Sequence, residues 1–379
     1  MRNPLATRAT QFLVLSLVLL AVTYAAYHDS FHAPFIFDDL VTIERNTMVQ
    51  AGQFRWSMIG GRWLLYLTFT GNVALLGGES WGFHVVNFGL HVVNGLLVML
   101  LAAKILSWLE IDIVNYRFTC WRYPRYLWAA GASAALFLVH PIQTESVTYI
   151  SSRSELLSTV FYLLGMVAFV YWPLPSIGMV CFGVVGLMFV LGIGAKETVM
   201  TLPASIFLYD WLFLSRCRFL EPLKLRWRFY LPFVVGGMLV AYRTVTVLLM
   251  DVINNPVNLP VWQYGLTQLH VVVRYIRLVL VPVGLNMDHD VPVAGGVLEP
   301  MTMASLVVLI GIVGLAWTVR RTNPVVAFAV FWFFITLSPT SSVVPIRDLM
   351  FEHRLYLPMV GVAVGFPVLV RWLWGRVWA

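Results

Sequence analysis

The chain has 379 residues, of which 60% are hydrophobic and only 11% are charged. Soluble domains contain about half apolar and about a quarter charged residues, so this composition excludes a water-soluble fold and predicts that lipid surrounds most of the protein. The net charge of +7 would suit a nucleic-acid partner, but basic cytoplasmic loops of a membrane protein explain it better, and no nucleic-acid partner is predicted.

Apolar stretches of about 17–25 residues, the length that an α-helix needs to cross a bilayer, recur along the chain. They predict an all-α, polytopic membrane protein with one membrane-embedded domain over residues 1–379 and no soluble C-terminal repeat domain. The first stretch could be a cleaved signal peptide, but the spans that follow favour a retained helix. We predict spans at 11–27, 84–105, 127–141, 155–172, 176–194, 198–214, 229–249, 301–319, 324–338 and 355–371, with 263–283 as an ambiguous eleventh.

Basic residues predict the orientation of these spans. If the N-terminus is cytoplasmic, most of the 25 Lys and Arg residues fall on the cytoplasmic side, as the positive-inside rule requires. The segment 263–283 carries Arg274 and Arg277, which are costly at the bilayer centre, so we interpret it as a re-entrant or surface-lying helix on the outer side. Both termini are then cytoplasmic, and the outward-facing segments are 28–83, 141–154, 195–198, 250–300 and 339–354.

The long first outer loop contains FIFDDLVTIERN, in which Asp38 and Asp39 are adjacent. Two neighbouring carboxylates beside an apolar run tend to have their pKa values pushed apart. One of them can then act as a general base while the other orients it or binds a metal ion. The alternative is a helix N-cap, because Asp is among the preferred residues at that position.

Three further groups of charged residues lie at predicted span ends on the outer side. Any one group could be an interfacial anchor. Because all of them gather on one predicted face, we interpret them as parts of one functional site. They are His140, Glu145, Arg153 and Glu155 in HPIQTESVTYISSRSE; Lys196 and Glu197 in AKET; and Asp348, Glu352, His353, Arg354 and Tyr356 in DLMFEHRLYLP.

The second predicted span carries a polar stripe. His84, Asn87, His91 and Asn94 share one helix face at steps of three and four. The two histidines could bind a metal ion, but such side chains more often form hydrogen bonds between helices. In the last span, the GxxxG pattern of residues 361–365 is typical of closely packed helices.

The chain contains no P-loop, GxGxxG, HExxH or GxSxG motif, so a substrate delivered within the membrane is expected rather than a soluble nucleotide.

Taken in order, the clusters of this chain resemble the transmembrane and tetratricopeptide-repeat family of O-mannosyltransferases, and more closely the bacterial relatives of that family. The order of all the stretches is more specific than any one of them. They cover residues 35–361 and read FIFDDLVTIERN, GRWLLYLTF, GFHVVNFGLHVVNGLLV, ALFLVHPIQTESVTYISSRSELLST, GAKETVMTLPASIFLYD, VVRYIRLVLVPVGLNMDHD and PTSSVVPIRDLMFEHRLYLPMVG.

The resemblance implies a GT-C glycosyltransferase fold and an inverting reaction. Such enzymes take a hexose, here mannose-like, from a polyprenyl-phosphate carrier on the outer membrane face and pass it to an acceptor hydroxyl. The implied partners are this lipid-linked donor, a protein, glycan or lipid acceptor, and the bilayer. In a bacterium, this places the chain in the inner membrane with its site facing the periplasm. By the same likeness, Asp38 is the base and Asp39 supports it.

The chemistry of such a transfer assigns roles to the other charged residues. Departure of the sugar leaves negative charge on a lipid phosphate, which cations stabilise. The outer-face candidates for binding this phosphate are Arg62, Arg153, Lys196 and Arg354. No cofactor is assigned, and a divalent metal ion remains an alternative. The predicted supporting residues are His140, Glu145, Glu197, Asp288, Glu352, His353 and Tyr356.

The sequence departs from the family in two respects. Family members carry repeats after the last span, whereas this chain ends at Ala379, which leaves the acceptor open among protein, glycan and lipid. In addition, Glu352-His353-Arg354 stands where many members have Glu-Arg. The rival interpretation is a transporter or flippase of sugar-linked lipids. Such a protein should carry its charges near the bilayer midplane, whereas here they lie at the outer helix ends.

Overall fold

The computed structural model describes residues 4–54, 62–111, 125–172, 178–254, 259–342, 346 and 348–377. These residues form helices joined by turns, with no β-strand among them. The prediction of an all-α membrane protein is thereby confirmed. The α-helices are α1 (Pro4–Tyr27), α2 (Thr47–Gln50), α3 (Trp63–Leu76), α4 (Ser80–Ile111), α5 (Arg125–Val139), α6 (Thr144–Thr148), α7 (Arg153–Tyr171), α8 (Met179–Ala195), α9 (Leu202–Tyr209), α10 (Glu221–Asn254), α11 (Val261–Leu280), α12 (Pro300–Val319), α13 (Pro324–Leu337) and α14 (Pro358–Val377).

Several of these helices have the length and composition of membrane spans. Within the described ranges, five stretches are long and apolar enough to cross a bilayer: Ala9–His32, Ser80–Leu109, Ile150–Tyr171, Glu221–Val247 and Pro300–Val319. Shorter apolar helices accompany them at Trp63–Leu76, Tyr126–Val139, Met179–Ala195, Pro324–Leu337 and Pro358–Leu373. The chain is therefore a multi-pass membrane protein.

The structure differs from the predicted spans in two places. The first outer loop contains an unpredicted helix, α3, which begins after Arg62 and ends before Gly77, whose φ of 86° suits glycine. Its 14 residues extend over about 21 Å, which is less than the about 30 Å apolar core of a bilayer. The predicted span 198–214 is not one regular helix, because a 3₁₀ turn (Glu197–Thr201) precedes α9 and a wider turn (Asp210–Leu214) follows it.

The core holds the helices in close contact. A Cβ atom added to Gly361 of α14 would lie 2.7 Å from the carbonyl oxygen of Ala329 in α13, and one added to Gly365 would lie 2.9 Å from the Ala329 Cβ. The close packing predicted from the GxxxG pattern is therefore confirmed. A smaller hydrophobic cluster fixes the first outer segment against α3, α4 and the turn before α7, and consists of Ile43, Val49, Leu65, Phe69, Phe83 and Ile150.

Segments predicted for the same side of the membrane contact one another. On the predicted outer side, His140 Nε2 lies 3.0 Å from the Val279 carbonyl oxygen at the end of α11. On the predicted cytoplasmic side, the Cys217 thiol reaches the Arg320 carbonyl oxygen at 3.3 Å. The helix ends are thus sorted into two groups, and the direction in which each group faces stays a prediction.

We predict that residue 290 faces outward, that residue 321 faces the cytoplasm, and that α11 makes no net crossing. Asp290 and Arg321 are both exposed, so a cysteine placed at either position should be open to reagents. In a variant without the three native cysteines, a membrane-impermeant maleimide added to intact cells should label Asp290→Cys and spare Arg321→Cys. Labelling of Arg321→Cys instead would refute this topology.

Candidate active site

The adjacent carboxylates of the first outer segment occupy different environments. Asp39 is fully buried, and its Oδ1 accepts hydrogen bonds from the Ser151 amide (2.7 Å) and the Ser151 hydroxyl (2.5 Å). Its Oδ2 accepts a longer bond from the Ile36 amide (3.4 Å). Burial raises the pKa of Asp39, although these bonds oppose the shift. Asp38 is exposed, so Asp39 fixes the turn and Asp38 is presented on it.

The backbone around Asp38 is strained. Phe37 has a φ of 49°, in the left-handed region that bulky residues rarely adopt. The Asp38 amide donates to the Tyr149 hydroxyl at 3.2 Å, and burial together with the Asp38 charge raises the pKa of that phenol. Asp39 stands at the start of the next helical turn but makes no capping bond there. The N-cap alternative therefore does not describe Asp39, whose side chain binds Ser151.

Residues 140–155 connect this turn to the rest of the site. The segment begins at His140, whose Nδ1 accepts from the Ile142 amide at 3.2 Å and caps a short 3₁₀ turn. Tyr149 and Ser151 then contact the Asp38–Asp39 turn. Each remaining ionisable side chain of the segment binds a different part of the chain. His140 is accordingly a scaffold residue that anchors the start of the segment.

Two ion pairs involve predicted phosphate-binding cations. Lys196 Nζ lies 2.5 Å from Glu155 Oε1, and both side chains are buried. Arg62 forms a 2.8 Å bond to Glu197, and this pair is partly exposed. Burial acts to raise the pKa of Glu197, but the Arg62 charge overcomes this effect and lowers it to about 2. Lys196 and Arg62 thus lie in neighbouring parts of one charged cluster.

Buried Glu145 pairs with the half-buried His353. Glu145 Oε1 lies 2.5 Å from His353 Nδ1, and Oε2 accepts a bond from the His353 amide at 2.9 Å. Burial raises the pKa of Glu145 to about 7. Burial, followed by the Lys196 charge, lowers the pKa of His353 to about 3. Both shifts favour a neutral imidazole, and the Glu145 carboxyl group beside it holds a proton below a pH of about 7.

A second carboxylate–imidazole pair lies beside the first. Glu352 Oε1 accepts from the Asn286 amide at 2.8 Å and from His289 Nε2 at 2.7 Å. Arg274 donates to the other ring nitrogen of His289 at 3.2 Å, so both nitrogens of this imidazole are engaged. Burial raises the pKa of Glu352. This pair ties the loop after α11 to the segment before α14.

Three cations lie around His353. Among the charges that act most on the pKa of His353, those of Lys196, Arg354 and Arg62 lower it and that of Glu155 raises it. Arg354 is buried and donates to the carbonyl oxygens of Thr340 (3.3 Å) and Asp348 (2.9 Å). Lys196 and Arg62 are each paired with a carboxylate, and the donors that these pairs leave over can bind an anion.

Arg153 lies in a different environment from the one predicted. Its side chain is fully buried, and its guanidinium donates to the side chains of Asn87 (2.7 Å) and Asn72 (3.0 Å) and to the carbonyl oxygens of Phe83 (3.0 Å) and Thr68 (3.3 Å). Because these acceptors occupy its donors, Arg153 joins α3, α4 and α7 instead of lining a cavity beside Lys196 and Arg354. These are the contacts of a scaffold residue, and the predicted binding of the donor phosphate by Arg153 stays a prediction.

Two other predicted residues lie apart from the charged cluster. Tyr356 is buried in the bundle, where its hydroxyl bonds to His91 Nδ1 (2.8 Å) and receives a bond from Asn94 (3.1 Å). Asp288 is exposed, and its amide donates to the Asn286 side chain at 3.4 Å. Tyr356 is therefore a packing residue, and the buried neighbour of Asp288, His289, reaches Glu352 instead.

The polar stripe of α4 forms hydrogen bonds between helices, as the more common alternative predicts. His91 Nε2 bonds to the Leu138 carbonyl oxygen (3.0 Å), and Asn94 donates to that of Leu156 (2.9 Å). Nor do three or more His, Cys, Asp or Glu side chains come together in a metal-binding arrangement anywhere in the described ranges.

Sequence reasoning missed Tyr149, Ser151 and His289 as parts of this site. Tyr149 and Ser151 lie inside the quoted stretch HPIQTESVTYISSRSE, and His289 lies inside MDHD. Tyr149 and Ser151 carry no charge at neutral pH, and His289 stands beside Asp288, which is the predicted member of its stretch. An uncharged hydroxyl becomes recognisable as a ligand of Asp39 only when the fold brings residues 39 and 151 together.

Comparison with known proteins finds distant, partial similarity to protein O-mannosyl-transferases. The chain is 31% identical over 161 residues to protein O-mannosyl-transferase Tmtc2 of Drosophila melanogaster, a match that covers 38% of this chain and 15% of the relative. It is 29% identical over 184 residues to protein O-mannosyl-transferase TMTC4 of Homo sapiens, covering 40% of this chain and 22% of the relative. The matched parts are less than a quarter of either relative. No family profile and no solved structure matches the chain. The partial matches support a relationship to the protein O-mannosyl-transferases.

Proposed function

We propose that this protein is an inverting, membrane-embedded glycosyltransferase that moves a mannose-like hexose from a polyprenyl-phosphate carrier to an acceptor hydroxyl. The acceptor hydroxyl belongs to a protein, a glycan or a lipid. The site faces outward, which in a bacterial inner membrane means the periplasm. The names of the partly similar proteins, which are protein O-mannosyl-transferases, support the choice of mannose.

One observation carries this proposal. The segment 140–155 holds the Asp38–Asp39 turn through Ser151 and also pairs with Lys196 and His353 through its own carboxylates. The contacts that present one carboxylate and the contacts that position the cation Lys196 are therefore built on one short piece of chain. Sugar transfer from a lipid phosphate needs both features, a base for the attacking hydroxyl and cations for the leaving phosphate.

The reaction follows from these positions. Asp38 takes the proton of the acceptor hydroxyl while the oxygen attacks the anomeric carbon from the face opposite the phosphate. The bond between that carbon and the phosphate oxygen breaks, and the lipid phosphate leaves with an additional negative charge. An ammonium group has three donors, so Lys196 can bind this phosphate while it stays paired with Glu155. Arg62 supplies a second charge from a more exposed position.

A transfer assay tests the proposal. Purified protein in lipid nanodiscs is incubated with radiolabelled polyprenyl-phosphate mannose and an acceptor. The assay follows the release of polyprenyl phosphate and determines whether the transferred sugar has the inverted anomeric configuration. Matched glucose and galactose donors test the choice of hexose. A transporter or flippase would move the intact donor across a vesicle membrane without cleaving it. The proposal would be overturned if the donor stayed intact with every class of acceptor and was instead moved across the membrane of proteoliposomes.

The role of Lys196 can be tested without leaving a buried charge unpaired. Removing Lys196 alone would strand Glu155, which itself destabilises the fold. In the double variant Lys196→Met/Glu155→Gln, both charges are absent. We expect its donor affinity to fall by about 10- to 100-fold, the value of one charge-assisted hydrogen bond. The matched single variant Glu155→Gln removes the counter-charge of buried Lys196 but offers it an amide oxygen, so its thermal unfolding temperature is measured alongside, and the folded protein should bind donor at least as well as the wild type. Equal affinities of the two variants in a donor titration would remove Lys196 from the phosphate site.

A further inference from the structure

We propose that His353 donates a proton to the departing lipid phosphate and that Glu145 replaces that proton. This inference rests on the proposed function, because it concerns the leaving group of that sugar transfer. It assigns a second proton transfer, separate from the one at Asp38.

The leaving group creates the need for a proton. A sugar-linked lipid phosphate carries one negative charge, and its departure produces a phosphate monoester whose second pKa is near 6. A proton donated as the bond breaks prevents a second charge from building up in a partly buried site. Such a donor works best when its pKa lies near the operating pH.

The geometry of His353 fits a proton donor. Glu145 binds its Nδ1 at 2.5 Å and its backbone amide at 2.9 Å, and the Phe351 ring stacks on the imidazole with centroids 5.0 Å apart. Nε2 has no hydrogen-bond partner in the part of the chain that the structure describes. The ring is therefore fixed, and one nitrogen remains available near the cations that act on His353.

The Glu145–His353 pair accounts for every proton that moves in this step. Before transfer, the Glu145 carboxyl holds a proton against Nδ1, and Nε2 carries the ring proton. As the bond between sugar and phosphate breaks, Nε2 gives its proton to a phosphate oxygen while the carboxyl gives its proton to Nδ1. The products are a protonated phosphate monoester, a neutral imidazole with its proton on Nδ1, and a Glu145 carboxylate.

The neighbouring pair provides an internal contrast. His289 and Glu352 are also a buried imidazole and carboxylate, but Arg274 and Glu352 occupy the two ring nitrogens of His289. His289 therefore has no nitrogen with which to reach a phosphate. The charged and titratable groups that act on the proposed donor pair are Lys196, Glu155, Arg62, Arg354, His289 and Glu352.

The pH dependence of transfer tests this proposal. The active form needs the proton on the pair, so the wild-type kcat should fall as the pH rises above about 7, where Glu145 loses it. His353→Gln keeps a nitrogen donor near the Nε2 position but cannot release a proton. Glu145→Gln keeps the contacts to Nδ1 and to the His353 amide but supplies no proton. We expect both variants to lose about 100-fold or more in kcat at pH 6.5, to lose the alkaline limb of the profile, and to bind polyprenyl phosphate with unchanged affinity.

His289→Gln is the matched control. Its pH profile of kcat should keep the alkaline limb, whatever the substitution does to the stability of the protein. Wild-type transfer with an unchanged kcat and pH profile in His353→Gln would overturn the inference and leave the proposed function standing. A profile that loses its alkaline limb in His289→Gln as well would also overturn it. Absence of any transfer by the wild type would instead overturn the proposed function, and this inference with it.

Discussion

Replacement of Asp38 by Asn is expected to lower the rate of sugar transfer by about 10²–10⁴-fold, the usual contribution of a positioned base. Asn has the size of Asp and can cap a helix about as well, but it cannot accept the proton of an acceptor hydroxyl. The side chain is exposed, so the substitution should leave the thermal unfolding temperature and the donor affinity close to their wild-type values. Transfer kinetics, a donor titration and a thermal melt in the same detergent measure these three quantities.

Asp39→Asn is the matched control for this experiment. Its Oδ1 and Oδ2 both accept hydrogen bonds, from Ser151 and from Ile36 respectively. The amide of Asn keeps one hydrogen-bond acceptor but turns its NH₂ group towards one of these hydrogen-bond donors. The variant should therefore unfold at a lower temperature than the wild type, and it should lose less activity than Asp38→Asn. Full activity of the Asp38→Asn protein would exclude Asp38 as the base, and Glu145 or Glu352 would become the candidates.

The architecture could be predicted from the sequence because its signals are local. A run of apolar residues long enough to cross a bilayer is visible in any window, and the charges at its ends sort the loops. The helix α3 was not predicted, because Thr68, Thr70 and Asn72 interrupt its apolar pattern, whereas α13, which also has 14 residues, is apolar almost throughout. The 3₁₀ turn before α9 and the wider turn after it were not predicted either, because the apolar pattern continues through both turns.

The role of each charged residue in the site depends on contacts between distant parts of the chain, which no local sequence pattern reveals. The sequence places a cation at residue 153, but only the fold shows that Asn72 and Asn87, from two other helices, occupy its donors. Likewise, Asp288 and His289 are neighbours in the chain, yet the turn that contains them exposes the first and buries the second against Glu352. The sequence thus predicts which ionisable residues gather together. It does not predict which of them hold the fold and which of them could act on a substrate.

The second large effect is expected at Arg153, on stability. Its guanidinium carbon lies 4.9 Å from the centre of the Phe69 ring and 5.2 Å from that of the Phe83 ring, and the group donates to acceptors on α3 and α4. Replacement by Ala would leave those buried acceptors without donors and open a cavity, which should cost about 3–5 kcal/mol of folding free energy.

Arg153→Lys separates the two roles that this residue could have. A phosphate ligand would tolerate Lys, which keeps the charge. A scaffold residue would not, because the ammonium cannot reproduce a planar fork that reaches Asn72 and Asn87 together. We therefore expect Arg153→Lys to lower the thermal unfolding temperature nearly as much as Arg153→Ala, while the protein that remains folded at low temperature binds donor with close to wild-type affinity. A stable Arg153→Lys protein, combined with an Arg153→Ala protein that folds but no longer binds donor, would return Arg153 to the phosphate site.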